Sequence, residues 1–112
     1  MIVYHSTTPA AAQAIQEHGF LDGLRVYGSG PAKSGVVFTN VPINAAAGAR
    51  GDALVIVELI GQDRDSLEQY RWLDPDHRGG HVEWLVPAEF TNSRAVIVNV
   101  EIHELPGEVA IW

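Results

Sequence analysis

His81-Val82-Glu83-Trp84-Leu85-Val86-Pro87 is an apolar run with one acid set into it. Glu83 to Val86 reads as a strand, and Pro87, which offers no N–H to a ladder, ends it. A carboxylate followed by Trp84, Leu85 and Val86 is expected at the edge of a core and not on a solvated face. Burying an unpaired charge is very costly, so Glu83 needs a partner or a task. A second such position is His5, which closes the apolar start Met1-Ile2-Val3-Tyr4 and precedes Ser6, Thr7 and Thr8. Alone, His5 is an ordinary strand-end histidine and Glu83 an ordinary strand acid paired with arginine. The functional reading turns on whether the two face one cleft.

Outward from these positions the chain divides into short elements. Met1 to His5 reads as a strand. Thr8 followed by Pro9 is a helix start, with a hydroxyl cap and proline at the first helical position. Ala11, Ala14, Ile15 and His18 share a face of that helix, and Gly19 stops it. Residues 22 to 34 read as a loop or hairpin with a short strand over Leu24 to Tyr27. Gly35 to Thr39 is a firm strand, and Asn40-Val41-Pro42 turns into a short helix over Ile43 to Ala47. Asp52 to Ile60, almost continuous in Val, Ile and Leu, is the strongest strand. Asp65 to Glu68 reads as a capped helical turn or an extended crossing, Gln69 to Leu73 as a strand, and Asp74 to Gly80 as a loop. Val96, Val98, Val100 and Ile102 alternate as a half-buried strand does. The sum is a single domain over residues 1–112 of α+β class: two small packed, mostly antiparallel sheets with one main helix and short helices outside them.

Composition narrows the function. The chain has 112 residues, no cysteine, and a net charge of −7 from fourteen acids against seven bases. Disulfides and thiolate catalysis are excluded, and scattered bases on an acidic chain argue against a nucleic-acid partner. Neither a signal peptide nor a membrane-spanning segment is expected, and a cytoplasmic location is the default. Lys33-Ser34 behind a Gly/Ser stretch is no phosphate loop, because Tyr27 and Ala32 stand where that motif needs glycine. His77 and His81 with Asp74 and Asp76 are not assigned to a metal, since Gly79-Gly80 forbids the helix that would put the histidines on one face. Glu58, inside the strongest strand, is expected to pair with a basic residue in a core-edge salt bridge.

Tyr4-His5-Ser6-Thr7 with a helix ending in Gly19-Phe20 resembles the first motif of the ADP-ribosyltransferase superfamily, of the poly(ADP-ribose) polymerase type. Gly35-Val36-Val37-Phe38-Thr39-Asn40 is similar to the second motif of that family, and Glu83-Trp84-Leu85-Val86-Pro87 to the third, which carries a catalytic glutamate. The three cover about residues 3 to 90 in order. The resemblance implies a split β-sandwich with a nicotinamide cleft, and NAD as the donor. It implies that His5 hydrogen-bonds the donor ribose and that Ser6 presents its backbone to the nicotinamide amide. It assigns Glu83 to the ribose 2′-hydroxyl and to the oxocarbenium-like charge that grows as the glycosidic bond breaks.

Two positions depart from the family. Val37 stands in place of the tyrosine that stacks on nicotinamide, with Tyr27 and Phe38 as substitutes, and His81 replaces the second acid of arginine-modifying members. Two classes stay open: an enzyme that transfers ADP-ribose to an acceptor or hydrolyses NAD, and a non-catalytic binding module of the same fold acting with a partner protein.

Overall fold

Valine, isoleucine and leucine crowd residues 53–59 because that strand is flanked by neighbours on both edges. The computed structural model describes residues 1–25, 33–42, 52–72 and 81–102. In chain order these form β1 (Ile2–Thr7), α1 (Pro9–His18), β2 (Gly23–Arg25), β3 (Lys33–Thr39), β4 (Ala53–Leu59), α2 (Arg64–Leu67), β5 (Arg71–Trp72), β6 (Glu83–Val86), α3 (Ala88–Arg94) and β7 (Ala95–Ile102). β4 pairs antiparallel with β1 from Ile2↔Glu58 to Thr7↔Ala53. On its other edge it pairs with β7, with a register shift between Ile56 and Val57 that leaves Val98 as the extra residue of a bulge. Val55, Val57 and Leu59 are fully buried.

The second half of the sheet is built on β3. It pairs antiparallel with β6 from Val36↔Val86 to Thr39↔Glu83, and with β2 through Gly23↔Gly35. β5 adds to the outer edge of β6. A single registered pair, Tyr4↔Thr39, joins this half to β1. The order is therefore β5-β6-β3-β1-β4-β7 in one antiparallel sheet, with β2 on β3 alone. The α+β class stands, and one sheet replaces the two that were expected. The physical reason is the Thr39 row: its backbone bridges strands that otherwise separate.

Successive residues of a strand point to opposite faces, and here one face is the core. Val3, Phe38, Val55, Val57, Trp84 and Val86 are all buried on it, each large side chain contributing roughly 1.5–3 kcal/mol relative to exposure. α1 reaches this core through Ala12, and α2 through Leu67.

Several local expectations change. Lys33 and Ser34 open β3 instead of lying in a loop, and the Lys33 ammonium sits 4.8 Å from the Trp72 ring centroid. The strand expected over residues 69–73 begins at Arg71, because Glu68–Tyr70 continue α2 as a 3₁₀ turn. α2 starts from a reciprocal cap in which Ser66 N donates to Asp63 Oδ1 at 2.9 Å and Asp63 N donates to Ser66 Oγ at 2.9 Å. α3 was not anticipated. The helix expected over Ile43 to Ala47, the loop over Asp74 to Gly80, and Tyr27 lie outside the described residues.

Candidate functional site

The seam between β1 and β3 originates in how each strand leaves the Tyr4↔Thr39 row. β1 runs on to Thr7, where Thr8 turns the chain into α1 by accepting from Ala11 N at 3.2 Å. Gly19 closes α1 with φ of 86° and lets the chain return through Phe20. On the other side, β3 bends toward β6 at Gly35. A Cβ on Gly35 would stand 2.9 Å from Leu85 Cγ, and its φ of 154° is one that side chains disfavour. β1 and β3 therefore part, and backbone groups that a neighbouring strand would satisfy must find other partners.

His5 supplies one. Its Nδ1 lies 2.8 Å from the Val37 carbonyl oxygen. A carbonyl can only accept, so Nδ1 carries the proton and the tautomer is fixed by the fold. The imidazole also packs edge-on to Phe20 at 5.6 Å and to Phe38 at 5.9 Å, and those two rings meet at 5.5 Å. Imidazole and rings form one wedge in the seam.

Beside the wedge lies a cavity of about 400 Å³, toward the small end of the range for ligand pockets. Its walls are the end of β1 from His5 to Thr8, the Gly19–Leu21 return with Gly23, and Gly35–Val37 of β3. The fourth wall is Ala11, Ala14, Ile15 and His18 of α1, the face picked out by helical spacing. That face borders a cavity, while Ala12 faces the core. Among the described residues, no lysine, arginine, aspartate or glutamate is part of these walls.

The cavity thus brings together His5, Ser6 and Val37. Phe38, fully buried, backs His5 from the core side and is not a wall. Glu83 is not a wall either. It is in register with Thr39 on the far side of β3, two strand spacings, roughly 10 Å, from Tyr4. Alternation directs Glu83 with Thr39 and Tyr4 to one face, and His5 with Val3 to the core face. The Glu83 side chain is 14% exposed, and its Oε1 lies 3.5 Å from His81 Nε2. That separation is an ion-pair contact, long for a hydrogen bond. His81 is thus the neighbour of Glu83 in space as well as in sequence. Asn40 secures this row: its Oδ1 accepts from Val82 N at 2.7 Å.

Two residues of the site region were not read from the sequence. Asn92 and Asp22 hold the Phe20–Asp22 return; Asp22 adjoins Gly23 in the sequence, and no local pattern marks Asn92. Among the described residues no group of three or more His, Cys, Asp and Glu is arranged to hold a metal ion, and no helix is long and apolar enough to cross a membrane. Comparison of the chain with protein-family models, with curated proteins and with solved structures finds no match in any of the three.

Proposed function

We propose that this protein is an ADP-ribosyltransferase-like protein that takes NAD at the β1–β3 seam. It would transfer ADP-ribose to a protein acceptor or hydrolyse the donor. The supporting observation is the seam itself: two strands held by one registered pair and then parted, with an imidazole donating Nδ1–H at the opening and a cavity beside it whose described walls are mostly apolar. An apolar, small-residue cavity of this size suits the planar nicotinamide end of NAD, whose single positive charge is spread over the ring.

In this reading His5 and Ser6 contact the nicotinamide ribose and amide, and Val37 packs on a ring face in place of an aromatic. Val37 forgoes a stacking contribution of roughly 0.5–1.5 kcal/mol. The role of Glu83 as a carboxylate beside developing positive charge requires the donor to extend past the Tyr4–Thr39 row, because Glu83 is off the cavity walls and on the other face of the sheet. His81 lies beside it, with Nε2 3.5 Å from the carboxylate.

Calorimetric titration of NAD and assay of nicotinamide release test the reading. The wild type is expected to bind and to release nicotinamide. Glu83→Gln should keep its fold and binding while release falls by about ten- to a hundredfold, the range for one hydrogen bond to a charged group. A wild type that neither binds NAD nor releases nicotinamide overturns the enzymatic reading.

One observation favours the second reading, a non-catalytic module of the same fold that engages a partner protein. Glu83 is absent from the cavity walls, and among the described residues so is any lysine or arginine for a diphosphate. Under that reading a large excess of NAD leaves the thermal midpoint unmoved, because only a ligand of the native state raises it.

A further inference from the structure

The return from α1 to β2 poses a bonding problem. Phe20 lies between the helix end at Gly19 and the start of β2 at Gly23, so neither ladder serves its backbone. One side chain from α3 serves both groups. Asn92 Oδ1 accepts from Phe20 N at 2.8 Å, and Asn92 Nδ2 donates to Phe20 O at 2.9 Å. The amide orientation follows from this, since the flipped amide would set oxygen against oxygen. The approach is close: a Cβ on Gly19 would stand 3.0 Å from Asn92 Oδ1. At the other end of α3, Asp22 Oδ1 accepts from Ala88 N at 2.8 Å. The Phe20–Asp22 segment is thereby gripped at both ends of one helix.

The grip reaches the imidazole. Phe20 is 3% exposed, and its ring meets His5 at 83° between planes. A Phe20 free to shift would leave His5 with its Val37 bond but without the ring that sets its plane. Ser or Thr lacks the paired donor and acceptor to serve both groups of Phe20, and Gln carries its amide one methylene farther from the helix. α3 also follows β6 with only Pro87 between them, so the strand of Glu83 and the wall around His5 share one rigid link.

We propose that Asn92 is a positioning residue: through Phe20 it holds the His5 imidazole in the orientation that the cavity presents to a ligand. Its relevance to NAD rests on the functional reading above, while the positioning itself does not. The test is ¹⁵N-histidine NMR of the full chain without NAD, on the wild type, Asn92→Ala, Asn92→Asp and Val57→Ala. Wild-type His5 is expected in the Nδ1–H tautomer with ring protons shifted by the neighbouring aromatics. Asn92→Ala should move the His5 ring-proton shifts toward those of free histidine, while the Val37 bond keeps the Nδ1–H tautomer. Asn92→Asp keeps the size and the acceptor but sets a charged oxygen against Phe20 O, so it should do the same and serves if the alanine variant fails to fold. Val57→Ala, which removes fully buried volume from β4, should lower the melting midpoint yet leave the His5 signals alone.

Wild-type His5 signals in a folded Asn92 variant overturn the proposal. So does an equal disturbance in Val57→Ala, which would mean general loosening. A parallel titration separates the two ideas: a wild type that ignores NAD overturns the functional reading, while the histidine spectra decide the role of Asn92 in either case.

Discussion

The two edges of β1 hold by different means. Along β4, backbone pairs run the whole strand from Ile2↔Glu58 to Thr7↔Ala53. Along β3 there is one, Tyr4↔Thr39, and beyond it the contacts belong to side chains: His5 on the Val37 carbonyl, Phe20 on His5, and Asn92 on Phe20. A laddered edge tolerates any side chain that fills the volume, because the backbone makes the bonds. An open edge depends on particular donors and acceptors, so its chemistry is specific and its space is available to a ligand.

Substitutions can break this contrast, and the largest effect is expected where both halves share the core. Phe38→Ala removes a fully buried ring from that junction and should cost about 3–5 kcal/mol in denaturant unfolding. It should do so in a single transition; two separate transitions would mean that the halves fold independently. Gly35→Ala tests the parting of the strands. Its Cβ would meet Leu85 Cγ at 2.9 Å, and a loss of about 1–3 kcal/mol is expected, with β2–β3 amides exchanging faster than β1–β4 amides. Thr8→Ala removes the cap of α1 that donates shape to the cavity wall, with an expected loss of about 1 kcal/mol in the same assay. The smallest effect belongs to the laddered side: Val98→Thr, at an exposed bulge position, should change stability by less than about 0.5 kcal/mol.

Much of this contrast was legible in local signals, and its limits have physical causes. β4 and α1 were readable because continuous branched apolar residues, and a Thr-Pro start with a Gly stop, act within a few residues of chain. α3 was not. Its Thr91-Asn92-Ser93 run is poor in helix formers, and the helix is held by tertiary bonds such as Asp22 to Ala88 N and by the 3.0 Å bond from Thr91 Oγ1 to Pro87 O. Glu58 was expected to pair with a basic residue and instead meets the Met1 ammonium at 3.2 Å, a group that no side-chain pattern points to. His81 was considered with loop residues and set aside as a metal ligand; its place beside Glu83 follows from the β3–β6 pairing that brings Asn40 to Val82.

Residue order by itself determined which segments are strands, where the main helix begins and ends, and that His5 and Glu83 are the titratable groups set at the edge of apolar runs. Those properties depend on neighbours in the chain, through hydrophobic alternation, capping and the backbone limits of proline and glycine. Tertiary structure alone decided that the two halves meet at one row, that His5 turns to the core face while Glu83 turns to the other, and that an asparagine seventy-two positions away completes the backbone of Phe20. Pairing register and the closure of hydrogen bonds between distant segments set these, because a strand's facing is defined only once its partner is in place.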